Sequence, residues 1–176
     1  MLDTLEKVFT SRKSRLSRAI TNNDVEKMEQ VLDEGIEIDY NIDVGGFSEP
    51  PVHAAVRLSS NDCLRVLIRR GARLNIVNTA REWPLRSWFS YAHQSIKLLD
   101  TISEDRLETA RILLESGAEF GTGGRHHAMA GTTPYSIVEQ NPPLQELEKR
   151  LRAEVQARLI SKASDPVSHQ SPRTRL

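Results

Sequence analysis

Cysteine is almost missing from this chain: Cys63 is the only one among 176 residues. A single thiol excludes an internal disulfide and any zinc cage built on paired cysteines. It suits a reducing compartment, so a cytoplasmic protein is expected. Long apolar runs are missing too, and no stretch approaches the roughly 20 residues that a membrane-spanning helix needs. From Met1 to Ser11 no apolar segment follows a positive start, so no secretory leader is read there. Apolar residues make up only 38% of the chain. That share is low for one rounded core and fits an elongated array whose units bury one face against their neighbours.

Net charge is also absent, since 24 basic side chains meet 24 acidic ones. The zero hides a pattern. Residues 1–20 hold five basic side chains against two acidic, and residues 149–176 hold seven against two. Residues 21–49 hold nine acidic side chains against Lys27 alone. A mixed surface of this kind lacks the continuous basic face of a nucleic-acid binder.

What the chain does contain is a repeated ending. Val31-Leu32-Asp33-Glu34-Gly35, Leu67-Ile68-Arg69-Arg70-Gly71 and Leu113-Leu114-Glu115-Ser116-Gly117 each read as two aliphatics, two polar residues and a glycine. A helix commonly ends on a glycine in the left-handed conformation, where a Cβ is penalised. Upstream of each glycine lies an apolar stripe at helical spacing: Val25, Met28, Val31 and Leu32, then Leu64, Leu67 and Ile68, then Leu107, Ala110, Leu113 and Leu114. Nineteen residues before Gly71 sits Val52, and the same offset before Gly35 falls on Leu16. Each marks a short first helix, so the unit is helix, tight turn, helix, glycine, with a period near 33 residues.

Pro51-Val52-His53-Ala54-Ala55 resembles the segment that opens an ankyrin repeat, and Gly71-Ala72-Arg73-Leu74-Asn75 resembles its close. Trp83-Pro84-Leu85-Arg86 and Thr132-Thr133-Pro134-Tyr135-Ser136 resemble two further openings, with Thr133 as N-cap and Pro134 at the first helical position. The resemblance spans about residues 12–160. It implies an all-α ankyrin-repeat solenoid of about four helix-turn-helix units with degenerate caps. For His53 it implies a hydrogen bond to backbone that ties the turn to the helices.

The departures from the pattern are specific. Gly35 to Gly71 is 36 residues but Gly71 to Gly117 is 46. The extra residues fall near His93–Asp105, an insertion between the two helices of the third unit. Trp88 and Phe89 stand where the family usually has alanines, and Ile96, Leu98, Leu99 and Ile102 of the insertion are expected to fill the space they open. From Pro142-Pro143 a capping helix carries Leu144, Leu147, Leu151, Val155 and Leu159 on one stripe. The array is expected over residues 1–163, with residues 164–176 as a disordered tail, because Asp165–Leu176 is polar and has no periodicity.

Little in the chain reads as chemistry. His126-His127 sits in the Gly/His-rich segment 121–131, but no Lys follows its glycines as a phosphate-binding loop requires. Adjacent histidines cannot aim at one metal from a regular element. The segment reads as a finger-like loop, and an enzyme or metal-binding protein using it is the alternative reading. Cys63 reads as a small core hydrophobe. No catalytic residue, metal ligand or cofactor is assigned, and the chain is not expected to be an enzyme. A contact of the basic C-terminal region with nucleic acid or acidic lipid ranks third.

The leading expectation is a protein-protein interaction module that binds through its concave face and hairpin tips, as an inhibitor, an immunity protein or an adaptor. Asp43, Phe47, Arg57 and Arg81 are the candidate contacts in the first half of the array. Tyr91, Arg125, His126 and His127 are those in the second. Asp39, Asp43 and Glu49 in the first connecting hairpin would favour a partner with a basic surface. Phe47 and Tyr91 are expected to be exposed aromatic anchors. No membrane contact is expected.

Overall fold

The computed structural model describes residues 2–79, 83–99, 102–119, 138 and 141–164. Within them the chain forms α1 (Leu2–Thr21) and α2 (Val25–Asp33), then α3 (Pro51–Leu58) and α4 (Asn61–Arg69), then α5 (Pro84–Leu99) and α6 (Glu104–Glu115). A last helix, α7 (Pro142–Ser164), closes the array. Between the first and second pairs stands an antiparallel hairpin, β1 (Ile42–Val44) and β2 (Phe47–Glu49), with Val44 opposite Phe47. The helices stack in two rows: α1 on α3 on α5, and α2 on α4 on α6 on α7. This is the expected all-α array of helix-turn-helix units.

Local chemistry sets the ends of these helices. The Asp24 carboxylate caps α2 by accepting the Lys27 amide at 3.1 Å, and Ser103 caps α6 through the Arg106 amide. Pro51 opens α3 at a position where its missing N–H costs nothing. The three repeat-closing glycines all have positive φ: 82° at Gly35, 87° at Gly71 and 77° at Gly117. After the second and third of them the following amide bonds back to the helix, Ala72 to the Leu67 carbonyl and Ala118 to the Leu113 carbonyl, both at 2.9 Å.

The core runs between the rows. Leu16, Met28, Leu64, Leu67, Ala110 and Leu113 are fully enclosed, as are Leu144 and Leu151 at the far end. Burying each large aliphatic removes it from water at a gain of roughly 1.5–3 kcal/mol. Trp88 and Phe89 are buried as expected, edge to face with ring centroids 4.8 Å apart. The Trp88 indole N–H is satisfied by the Arg106 carbonyl at 2.7 Å. Cys63 is buried, and desolvation pushes its thiol up to about 12, so it behaves as a hydrophobe.

Three expectations need correction. The first helix is not short: α1 has 20 residues. The insertion in the third unit is not a separate segment between helices, since α5 continues to Leu99 over 16 residues where α3 has eight. Helix continuation satisfies the inserted backbone groups within the segment itself. The apolar stripe of α7 leaves the core after Val155, and Leu159 is 41% exposed. There α7 is held by charge instead, Arg158 reaching Glu108 and Glu115, and Lys162 reaching Glu115. The fourth repeat opening at Thr133-Pro134, the segment 121–131 and the tail from Asp165 lie outside the described residues.

Candidate functional site

The hairpin between the first two units is the element that projects the most exposed aromatic side chain of the chain's described part, Phe47 at 57%. Its turn is Gly45-Gly46, both at positive φ, 59° and 84°. A two-residue turn of this hand matches the twist of the strands it joins, and glycine supplies it without strain. Ile42, Val44 and Glu49 point inward, whereas Asp43 and Ser48, directly opposite each other, face solvent.

First-row helices clasp this hairpin from both sides. From α1, the Ser17 hydroxyl donates to the Asp43 carbonyl at 2.8 Å, and the Lys13 ammonium sits 4.3 Å from the Tyr40 ring centroid. From α3, Arg57 donates through Nε to Glu49 Oε1 at 2.8 Å and through Nη2 to the Val44 carbonyl at 2.9 Å. The same guanidinium lies 4.7 Å from the Phe47 ring centroid. Glu49 is only 4% exposed, and burial raises its carboxyl above the usual range although Arg57 opposes that.

One turn further along, His53 is buried on α3 and bonds across to the next connection. Its Nε2 donates to the Ile76 carbonyl at 2.9 Å. Its Nδ1 therefore accepts, and the Ser87 hydroxyl stands 3.4 Å away, itself receiving the Asn78 amide at 3.2 Å. Desolvation lowers the imidazole to about 4, so it is neutral. This is the backbone tie that the family resemblance implies.

These contacts reorder the candidate contact residues. Asp43 and Phe47 are brought together on one exposed hairpin, as expected. Arg57 stands beside that hairpin on α3 and already holds Glu49, Val44 and Phe47. Tyr91 is half-buried, not exposed, because α5 packs against α6. Arg81, Arg125, His126 and His127 lie outside the described residues. Two residues that sequence reasoning passed over belong with the hairpin: Tyr40, 46% exposed, and Ser17. An acidic residue just before Pro50-Pro51 and an arginine eight residues on was the available signal for the Glu49–Arg57 contact.

The acidic run is also more neutral than its count suggests. Asp39 accepts the Arg73 amide at 3.1 Å and its Nε at 2.7 Å. Glu34 pairs with Arg12 and Arg15, and Glu29 with Arg69 and Arg70 of the following unit. Those guanidinium bonds hold the Glu29 and Glu34 carboxyls below the usual range. Glu49 is buried. Among the described residues of the run, Glu26, Glu37 and Asp43 are exposed and make no ion pair. Much of the acidic run thus fixes one unit on the next and does not face a partner.

Among the described residues no group of His, Cys, Asp and Glu is arranged to hold a metal ion, and no helix is long and apolar enough to cross a membrane. Residues 49–79, from the end of β2 through α3, α4 and Gly71 to the following connection, match the ankyrin repeat family. The chain is also 35% identical over 57 residues to the human 2-5A-dependent ribonuclease. That stretch is 32% of this chain and 7% of the ribonuclease, so only a small part of the relative is represented. The matched unit is flanked on both sides by helix pairs stacked in the same two rows and closed by the same glycine, so the chain carries an ankyrin repeat within an array of the ankyrin-repeat fold.

Proposed function

We propose that this protein holds a partner protein at the β1–β2 hairpin and the adjoining end of the first-row helices, on the side that the family resemblance makes concave. Ankyrin repeats are protein-protein interaction modules in general, and the coarse reading follows from the family. The observation that carries the finer one is the hairpin and its approach: Phe47 and Tyr40 are half exposed with a cation against each ring, and the Asp43 side chain faces solvent from the middle of β1. Aromatic side chains held in a fixed pose lose little freedom on binding, which favours them as anchors. The body of α3 offers no such surface, because Pro51 to Val56 are all buried.

On this reading the protein serves as an inhibitor, an immunity protein or an adaptor in the cytoplasm, and the partner brings a basic group to Asp43 and Glu37. The test is affinity capture with the native chain, with Phe47→Ala plus Asp43→Arg, and with Lys149→Glu on the far helix. Loss of the captured partner with the hairpin variant alone supports the reading. Loss with the Lys149 variant alone places the contact on α7 and contradicts it.

A further inference from the structure

We infer that Arg57 is a positioning residue, a latch that keeps the hairpin in its recognition shape, and not a contact to the partner. The inference deepens the binding reading above and rests on it for its consequence, though the latch itself can be tested without a partner. The hairpin has little of its own to order it. Each strand has three residues, and the turn is two consecutive glycines. Isolated two-stranded hairpins are marginal at best in water, and glycine loses the most backbone freedom on folding.

Arg57 supplies the missing constraint because one planar guanidinium reaches both strands at once. It binds the Val44 carbonyl at the end of β1, and the Glu49 carboxylate and Phe47 ring on β2. Val44 and Phe47 are the pair that flanks the glycine turn. The fork-shaped donor set is what permits this, since a lysine ammonium is a point charge and cannot span the three acceptors in one geometry. The Arg57 side chain is 17% exposed and that of Glu49 only 5%. Glu49 therefore has almost no surface to offer a partner, which gives the latch a signature that a contact residue would not have.

The experiment is amide hydrogen exchange on the full chain, read at Val44 and Phe47, for Arg57→Lys, Glu49→Gln and the double variant. Losing a charge-assisted hydrogen bond of roughly 1.5–3 kcal/mol corresponds to exchange about tenfold faster or more. That acceleration is expected at the hairpin in each single variant, with the amides of α4 and α6 unchanged. The double variant should be little faster than Arg57→Lys alone, because the link that Glu49→Gln weakens is one that Arg57→Lys already disrupts. Hairpin exchange that stays at the native rate in both single variants overturns the latch. So does equal acceleration throughout the array, which would make the pair a general stability element. In a parallel measurement with the captured partner, Glu49→Gln should weaken binding although it is out of the partner's reach. If the hairpin loosens and binding is unaltered, the latch does not position the recognition surface, and the docking site lies elsewhere.

Discussion

Asn23 and Asp62 are joined twice across the first repeat boundary: the Asn23 side chain accepts the Asp62 amide at 3.1 Å and donates to the Asp62 carboxylate at 2.9 Å. Its carbonyl oxygen also takes the Cys63 amide at 3.1 Å. Asn23 stands in the turn between α1 and α2 at a φ of 51°, so a residue of one unit caps the helix that opens the second layer of the next. Asparagine suits both tasks, since it tolerates the left-handed region and carries an acceptor. Asn23→Ala should cost about 2 kcal/mol in urea unfolding, and Asn23→Gly less, because glycine keeps the backbone conformation and loses only the cap. Equal stability of Asn23→Ala and the native chain would contradict this coupling.

The stacking of the second row rests on apolar contact between units. Leu113 is fully buried where α6 meets its neighbours α4 and α7. Leu113→Ala should lower stability by roughly 2–5 kcal/mol, as other large-to-small core changes do. A melting shift no larger than that of a surface change such as Lys149→Ala would rule out this packing.

The glycine closes can be separated into space and conformation. A Cβ added at Gly71 or at Gly117 would meet nothing within 4 Å, yet φ is 87° and 77°. Gly71→Ala should therefore cost only the backbone penalty, about 1–2 kcal/mol, and Gly71→Val more, because a β-branched residue is worse in the left-handed region. Tolerance of valine at Gly71 equal to that of alanine would show that the helix does not end there as described.

Much of the array was legible in the sequence because its signals are local. Apolar spacing at Leu64, Leu67 and Ile68 and the glycine after them fix a helix and its stop regardless of what packs nearby. The extension of α5 was not, since residues 93–99 continue a helix with no cap or glycine to mark where it should have ended near the length of α3. Charge was read least well. Counting acidic residues from Asp24 to Glu49 gave a patch, whereas the partners that neutralise it, Arg57, Arg69, Arg70 and Arg73, come from the next unit. Arg57 reads alone as a free cation; only the return of β2 beside α3 shows that Glu49 and Val44 already hold it.

Acid should destabilise the fold in two stages. His53 has a folded-state value near 4 against 6.5 in the unfolded chain, so below pH 6.5 the unfolded state binds a proton that the folded state refuses. Stability is thus full above pH 6.5 and falls as pH drops toward 4, by roughly 3 kcal/mol over that window. Glu29, Glu34 and Glu115 are held below their usual range, and their contribution disappears as pH falls from 4.5 through their lowered values. Urea unfolding at a series of pH values checks this. His53→Gln should flatten the dependence between pH 6.5 and 4 and leave the lower stage. An unchanged slope in that variant would remove His53 as its source.

The most direct test of where this protein meets its partner is a photo-crosslinking amino acid placed at one position at a time on the folded chain. At Asp43 and Ser48 it reports from the outer face of the hairpin, and at Lys149 and Arg152 from exposed positions on α7. Illumination in the native cell extract, followed by identification of each adduct, is expected to give one partner protein from both hairpin positions and none of it from α7. The same partner crosslinked from Lys149 and Arg152 but from neither Asp43 nor Ser48 would contradict the hairpin as the docking element.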